Sequence, residues 1–423
     1  MTTTQVTAPT PTAPPAPHLG VGDRMRLWWA SLPRPAQWGF GVPFIALLAA
    51  LPILRPPVLT TEGTDFGGVL AQWGMYALLA IGLNVVVGQA GLLDLGYVGF
   101  YAIGAYTVAL LTSPDSPWNQ TDTWLSHHWA WVFALPIAVL ITSISGLILG
   151  IPTLRLRGDY LAIVTLGFGE IVRLLADNLG TITGGGRGLS QIAFPLFGQS
   201  ESRPNGVFSA GNTKVPFNFG AWWYWVSLAL IIIVLLIVGN LERSRVGRAW
   251  VSVREDEDAA EIMGVPTFKF KLWAFLIGAS IGGLSGVLYA GQVQFVSPPT
   301  FNVINSMLFL CAVIVGGQGN KLGVIAGAFI IVYLPNFFLG RDNLFGIPID
   351  GNKIADYKYL FFGLALMTLM IFRPQGLFPA RQKLLAYSRP VYVAARHAAL
   401  AAAGLLKHSN GVPASDETAG GAR

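Results

Sequence analysis

Few acids and bases fall inside the apolar segments of this chain, and their spacing limits what they can do. Glu170, Arg173 and Asp177 stand at i, i+3 and i+7 within one apolar run. In a helix that spacing puts all three on one face. A charge at the centre of a bilayer costs about 2.5–3.5 kcal/mol on insertion scales, so such groups pair and face protein or a watery cavity. Two readings stay open: an ion-paired seam between helices, or the polar lining of a path. A second group lies in the segment 88–99, which brings Gln89 and Asp94 together with Gly88, Gly91, Gly96 and Gly99, just after Asn84. So many glycines make a poor helix, and irregular backbone at membrane depth is tolerated only where protein covers it or it lines a cavity. The segment reads as a broken or re-entrant element beside a path, or as a short cytoplasmic turn. Asn84, Gln89, Asp94, Glu170 and Arg173 are therefore the candidate path residues.

The densest charge lies in the loop 242–271. Its acids are Glu242, Glu255, Asp256, Glu257, Asp258 and Glu261, and basic residues balance them. Gly264 followed by Pro266 is a helix-ending signal. Balanced charge on a short helix suits a solvated face or a docking surface for a protein partner.

Other chemistries find little support. The single cysteine, Cys311, lies in an apolar run, so there is no intrachain disulfide and no cysteine metal site. His18, His127, His128, His397 and His408 all lie outside the long apolar segments. No metal site is assigned. An enzyme embedded in the membrane would need a reactive cluster at depth, and the sequence offers none. The net charge of +6 fits basic loops on one side of a membrane rather than nucleic-acid binding.

The elements that position these residues follow from composition. Of 423 residues, 53% are hydrophobic and only 11% are charged, against about 25% charged in soluble domains. The mean hydropathy is +0.56. The chain reads as an all-α polytopic membrane helix bundle. Apolar runs fall near 38–54, 69–88, 95–112, 131–153, 159–178, 222–240, 272–291, 304–318, 322–339 and 358–372. A span takes about 20 residues, so about ten spans are expected, with about eight as the alternative. The runs at 95–112, 304–318 and 322–339 are short and rich in glycine. Residues 1–35 read as a disordered cytoplasmic tail, 36–375 as the transmembrane domain, and 376–423 as a cytoplasmic tail.

Placing both ends inside puts most basic residues there, among them Arg155, Arg243, Arg245, Arg248, Arg254, Lys269, Lys271 and Lys321. That is the bias expected of cytoplasmic loops. Trp129, Trp131, Trp222, Trp223, Trp225 and Trp273 open spans, as interfacial indoles do. Gly278, Gly282 and Gly286, and again Gly319, Gly323 and Gly327, repeat every four residues and predict close helix packing.

Several stretches carry a family resemblance. Asp258-Ala259-Ala260-x-x-x-Gly264 resembles the coupling helix of ABC importer permeases, with Asp in place of the usual Glu. Gly82–Gly96, Leu154–Leu166, Thr183–Leu189 and Ile314–Gly319 resemble, in order, the LivM-type permeases of branched-chain amino acid importers. The resemblance covers roughly residues 70–340, and urea and short-amide importer permeases look similar over the same stretches. It implies a transport permease rather than an enzyme, in the prokaryotic plasma membrane with cytoplasmic termini. It implies a heterodimer with a related permease, two cytoplasmic ATPase subunits, and an extracytoplasmic solute-binding protein that delivers the substrate. ATP and Mg²⁺ would bind those ATPases, and no cofactor is expected in this chain. Glu255, Asp256, Glu257, Asp258, Ala259, Ala260 and Gly264 would form the coupling surface. Gly184–Gly188 would be an outer turn facing the binding protein. An ion-coupled secondary transporter using Glu170 or Asp177 is the reading from another class.

Overall fold

The computed structural model describes residues 34–56, 65–118, 130–156, 158–195, 208, 219–339, 343–344, 347–348, 353, 357–372 and 376–377. Residues 45–380 form one compact unit. Of the other unit, residues 1–44 with 381–423, only 34–44 is described, as helix. The expected tails lie almost wholly outside the described residues.

Every apolar run read from the sequence is a helix. They are α1 (Arg34–Leu54), α2 (Phe66–Leu83), α3 (Val98–Thr112), α4 (Ala130–Thr153) and α5 (Asp159–Asn178). After α6 (Phe219–Arg243) come two short helices, α7 (Arg245–Glu255) and α8 (Glu257–Ile262), then α9 (Thr267–Val293). The last are α10 (Val303–Gly316), α11 (Lys321–Phe338) and α12 (Lys358–Phe372). Among the described residues, five helical stretches are long and apolar enough to cross a membrane: Phe66–Gln89, Ala130–Thr153, Gly220–Arg243, Thr267–Val293 and Lys321–Phe338. At 1.5 Å per residue, α3 and α10 reach only about 20 Å of a roughly 30 Å hydrocarbon core. Helix α5 is long enough, but Asp159, Glu170, Arg173 and Asp177 interrupt its apolar character.

Local chemistry sets the helix ends. The Asp65 carboxylate accepts from the amides of Gly67 and Gly68, which opens α2. Asn302 accepts from Asn305 N at 2.9 Å and opens α10. Side-chain acceptors of this kind satisfy amides that a helix start leaves unpaired.

The core is organised by α2 and α9. Helix α9 packs on α2, α3 and α4, while α2 also packs on α6 and α11. Glycine makes the approach possible. A Cβ on Gly286 would collide with the Tyr101 carbonyl, and one on Gly104 with the Gly283 carbonyl, so α3 and α9 touch backbone to backbone. Likewise a Cβ on Gly327 would strike the Ala312 carbonyl, which draws α11 onto α10. Both glycine repeats thus serve packing within this chain. Hydroxyls complete the seams: Tyr97 donates to the Gly278 carbonyl at 2.7 Å, and Ser285 to the Met75 carbonyl at 2.9 Å.

Two of the tryptophans that open helices pack inside the bundle. Trp131 and Trp223 are buried and meet edge to face at 5.5 Å, and the Trp131 indole donates to the Val287 carbonyl. An indole buries a large apolar area while its N–H finds a partner, as Trp131 does here. Trp273 is exposed.

Candidate coupling and passage sites

One end of the bundle gathers the charged loop. Asp256 caps α8 by accepting from Ala259 N at 3.0 Å. Gly264, at φ +82°, closes the helix in a left-handed conformation that L side chains rarely adopt, and the amide of Val265 returns to the Ala260 carbonyl. Ala260 is the buried anchor of α8, while Asp258, Ala259, Glu261, Ile262, Met263 and Gly264 are exposed. Ile262 and Met263 are 85% and 82% exposed, a bare apolar tip. Beside them Arg245, Arg248, Gly264, Val265, Pro266 and Phe270 line a groove of 380 Å³.

Ion pairs fasten this end to the spans. Lys271, buried at the start of α9, meets Glu257 at 2.5 Å. Arg254 donates to the Gly88 carbonyl at 2.6 Å and pairs with Glu255 at 3.0 Å. Glu242 accepts from Gln89 at 2.6 Å and from Lys321 at 2.7 Å. Thus α6, α7, α8, α9, α11 and the end of α2 meet in one polar girdle.

The end of α2 is unusual. Asn84–Gln89 winds as a π-helix, with the Ala90 amide reaching back to Val85. Gly88 lies in the last turn, where a carbonyl has no helical donor, and Arg254 takes its oxygen. Asn84 accepts from Gly319 N at 2.8 Å and so pins the α10–α11 turn. A Cβ on Gly88 would strike the Asn84 amide, so this crossing requires glycine.

These contacts divide the candidate path residues. Asn84 and Gln89 tie elements of the girdle together. Asp94 is buried in the connection from the π-turn to α3, where its Oδ1 accepts from Gly96 N at 2.9 Å. Its neighbour Leu95 is held by Thr165 and Ser306. Glu170 and Arg173 sit apart from these three. They form a pair within α5, in which Arg173 Nε reaches both carboxylate oxygens at 3.0 and 3.1 Å. The pair does not bridge two helices, and both side chains keep partial exposure, 35% and 24%. Asp177 is exposed on the last turn of α5.

The opposite end of the bundle is built from turns. Gly184, Gly185 and Gly188 all have positive φ, and Leu189 pairs antiparallel with Val296. Asp115 accepts from both the hydroxyl and the amide of Ser190, at 2.5 and 3.2 Å. Those bonds favour the carboxylate, aided by Arg187, and hold Asp115 below the ordinary carboxyl pKa.

Sequence reasoning missed an aromatic cluster between these ends. Tyr76, Tyr101, Tyr106 and Tyr289 gather with Phe301 and Phe309. The residues come from four helices and a loop, so no local spacing signals the group.

Comparison with known proteins adds the family. Residues 66–370 match the family described as branched-chain amino acid transport system, permease component. The chain is 41% identical over 357 residues to the high-affinity branched-chain amino acid transport system permease protein LivM of Escherichia coli K12, covering 82% of this chain and 77% of that protein. It is 40% identical over 346 residues to LivM of Salmonella typhimurium, covering 79% of this chain and 74% of that protein. The permease protein LivH of the same Salmonella is 26% identical over 263 residues, covering 60% of this chain and 79% of that protein. No solved structure matches.

Proposed function

The chain belongs to the branched-chain amino acid transport permease family, and we propose that it is one permease subunit of an ATP-driven importer for leucine, isoleucine and valine. In that reading it pairs with a related permease, and two cytoplasmic ATPases supply the energy. ATP and Mg²⁺ bind on those ATPases. An extracytoplasmic solute-binding protein delivers the substrate to the β1–β2 end, where β1 is Leu189–Ser190 and β2 is Phe295–Val296. The chain crosses the membrane about ten times, with both termini in the cytoplasm and tails flanking the domain 36–375.

The observation that carries this is the setting of α8. A short capped helix presents a bare Ile262–Met263 tip to solvent, while Glu257 and the adjoining Arg254 are fastened to α9 and the π-turn. An exposed apolar pair on a charged loop suits a partner surface. A push on α8 would pass to α9 directly and to α2 through Arg254. Solvent-separated charge around the tip, Asp258 and Glu261 on one side and the Arg245–Arg248 groove on the other, suits a partner with mixed charge.

Co-purification tests the assembly. An ATPase and a second permease should come down with the wild-type chain, and I262D/M263D should lose the ATPase while keeping the permease. Retention of the ATPase by that variant would remove α8 as the docking element. Reconstituted vesicles with the binding protein should then take up leucine only with ATP. Uptake of urea or acetamide instead would move the substrate to the short-amide class. Uptake that survives without ATP and collapses with an uncoupler would point to ion coupling.

A further inference from the structure

Arg245 and Arg248 stand three residues apart in the first turn of α7 and share one face. Both are exposed, and both line the 380 Å³ groove beside α8. Across from them Val265, Pro266 and Phe270 make an apolar wall. The walls are fixed to each other. The indole of Trp250, buried on α7, donates to the Phe270 carbonyl of α9 at 2.7 Å.

The charged loop balances its charges in number but not in place. Glu242 is taken by Lys321, Glu255 by Arg254 and Glu257 by Lys271, while Asp256 caps α8. Among the described residues no carboxylate pairs with Arg245 or Arg248. Arg248 Nη1 donates to the Arg243 carbonyl at 3.2 Å, which leaves most of the five guanidinium N–H donors unused. The Ser252 hydroxyl, also in the groove, already donates to the Ala249 carbonyl. Recognition of an anion there falls to the two guanidiniums. Cations in the first turn of a helix also oppose its dipole, so α7 by itself gains nothing from these two residues.

The groove is continuous with the exposed tip of α8. Gly264 and Val265 line it, and Ile262 and Met263 immediately precede them in the chain. A protein seated on the tip therefore lies against the groove.

We propose that the groove receives an acidic side chain of the docked ATPase subunit, an Asp or Glu flanked by apolar residues. This rests on the reading of the chain as a permease driven by a separate ATPase. The carboxylate bonds the Arg245 and Arg248 guanidiniums, whose planar fork matches it. The flanking apolar residues pack on Val265, Pro266 and Phe270. The Ile262–Met263 tip supplies apolar area, and the arginine pair fixes the register of the partner. The same contact holds the ATPase to α7, and through Trp250 to α9, independently of α8.

The test uses the complete transporter, with its ATPase and related permease. R245E/R248E reverses both charges at exposed positions, and acids in the first turn suit the dipole of α7, so the variant folds. It should keep the related permease and hold the ATPase at least about tenfold more weakly, as a like-charge clash at an interface does. R245K/R248K keeps the charges and adds reactive amines. Treated with a water-soluble carbodiimide, the introduced lysines should condense with an ATPase carboxylate. That forms an amide with loss of water, which the carbodiimide takes up as a urea. Peptide mass spectrometry should place the link between position 245 or 248 and an Asp or Glu of the ATPase. Wild-type retention of the ATPase by R245E/R248E, or no link from either position to the ATPase, would each overturn the proposal. Unchanged retention together with ATP hydrolysis that needs phosphatidylglycerol vesicles only when the arginines are present would overturn it in favour of a lipid headgroup. A wild-type chain that brings down no ATPase would instead overturn the proposed function itself.

Discussion

Arg254 donates a 2.6 Å hydrogen bond from Nη1 to the carbonyl oxygen of Gly88, and its stem packs over Gly91. One residue of the charged loop thereby caps the π-turn that ends α2. The contact joins the element expected to meet the ATPase to the most buried span of the five, in which 83% of the apolar window is buried, against 28% in Ala130–Thr153.

Replacing Arg254 by Ala should weaken that joint without removing α8. A hydrogen bond to a charged group contributes about 1.5–3 kcal/mol. The expected result is an assembled complex that hydrolyses ATP with little response to the loaded binding protein. Arg254→Lys can reach the carbonyl with one charge and should restore part of the response. A stimulated rate equal to wild type in Arg254→Ala would show that the joint transmits nothing.

Glu242 serves two donors, Gln89 and Lys321, from the end of α6. Both ion-pair members are about 30% exposed, so screening reduces the pair to about 1 kcal/mol or less. Glu242→Gln keeps a hydrogen-bond acceptor and loses the charge. A double-mutant cycle with Lys321→Gln, read by thermal unfolding of the purified complex, should give a coupling of that size that shrinks in high salt. Zero coupling at low salt would contradict the pairing.

Gly104 and Gly167 make a matched comparison. A Cβ at Gly104 meets the backbone of Gly283, whereas one at Gly167 has nothing within 4 Å. Gly104→Ala should cost about 1–3 kcal/mol through overpacking. Gly167→Ala should be neutral or slightly stabilising, because alanine is the better helix former. Thermal unfolding of the two variants side by side checks the ranking, and equal midpoints would refute the close α3–α9 crossing.

Asp115 carries a pH signature. Its pKa is lowered in the folded chain by the two bonds from Ser190. A group of that kind contributes stability that is present above its unfolded pKa, 3.8, and is lost as pH falls through the lower folded value. Asp115→Asn should remove this contribution at neutral pH and leave a smaller loss of stability on acidification. The carboxylate is exposed, so the effect is small and needs differential unfolding of the paired proteins. Parallel pH curves for wild type and variant would argue that the Ser190 bonds are not formed.

How far the sequence reaches is visible in particular residues. Apolar length and the scarcity of charge located the apolar helices among the described residues, because in a bilayer the backbone must satisfy itself and only helix does so locally. The Asp258–Gly264 pattern located α8, because caps and the left-handed terminus are local devices. The four-residue glycine repeats announced close crossings correctly. Sequence could not say that Asn84 and Gln89 are ties within the girdle while Glu170 and Arg173 stay half open. That division depends on Gly319, Glu242 and Lys321, which lie far along the chain and arrive only by packing. The buried state of Trp131 and Trp223 has the same origin, since an indole at a helix start suits either lipid or a neighbouring helix. The tyrosine cluster is the extreme case: its residues share no period and no motif. Local periodicity and capping chemistry thus determined which segments fold as helices and where the charged loop lies. Contacts between distant segments decided which polar groups tie the helices together and which stay partly exposed.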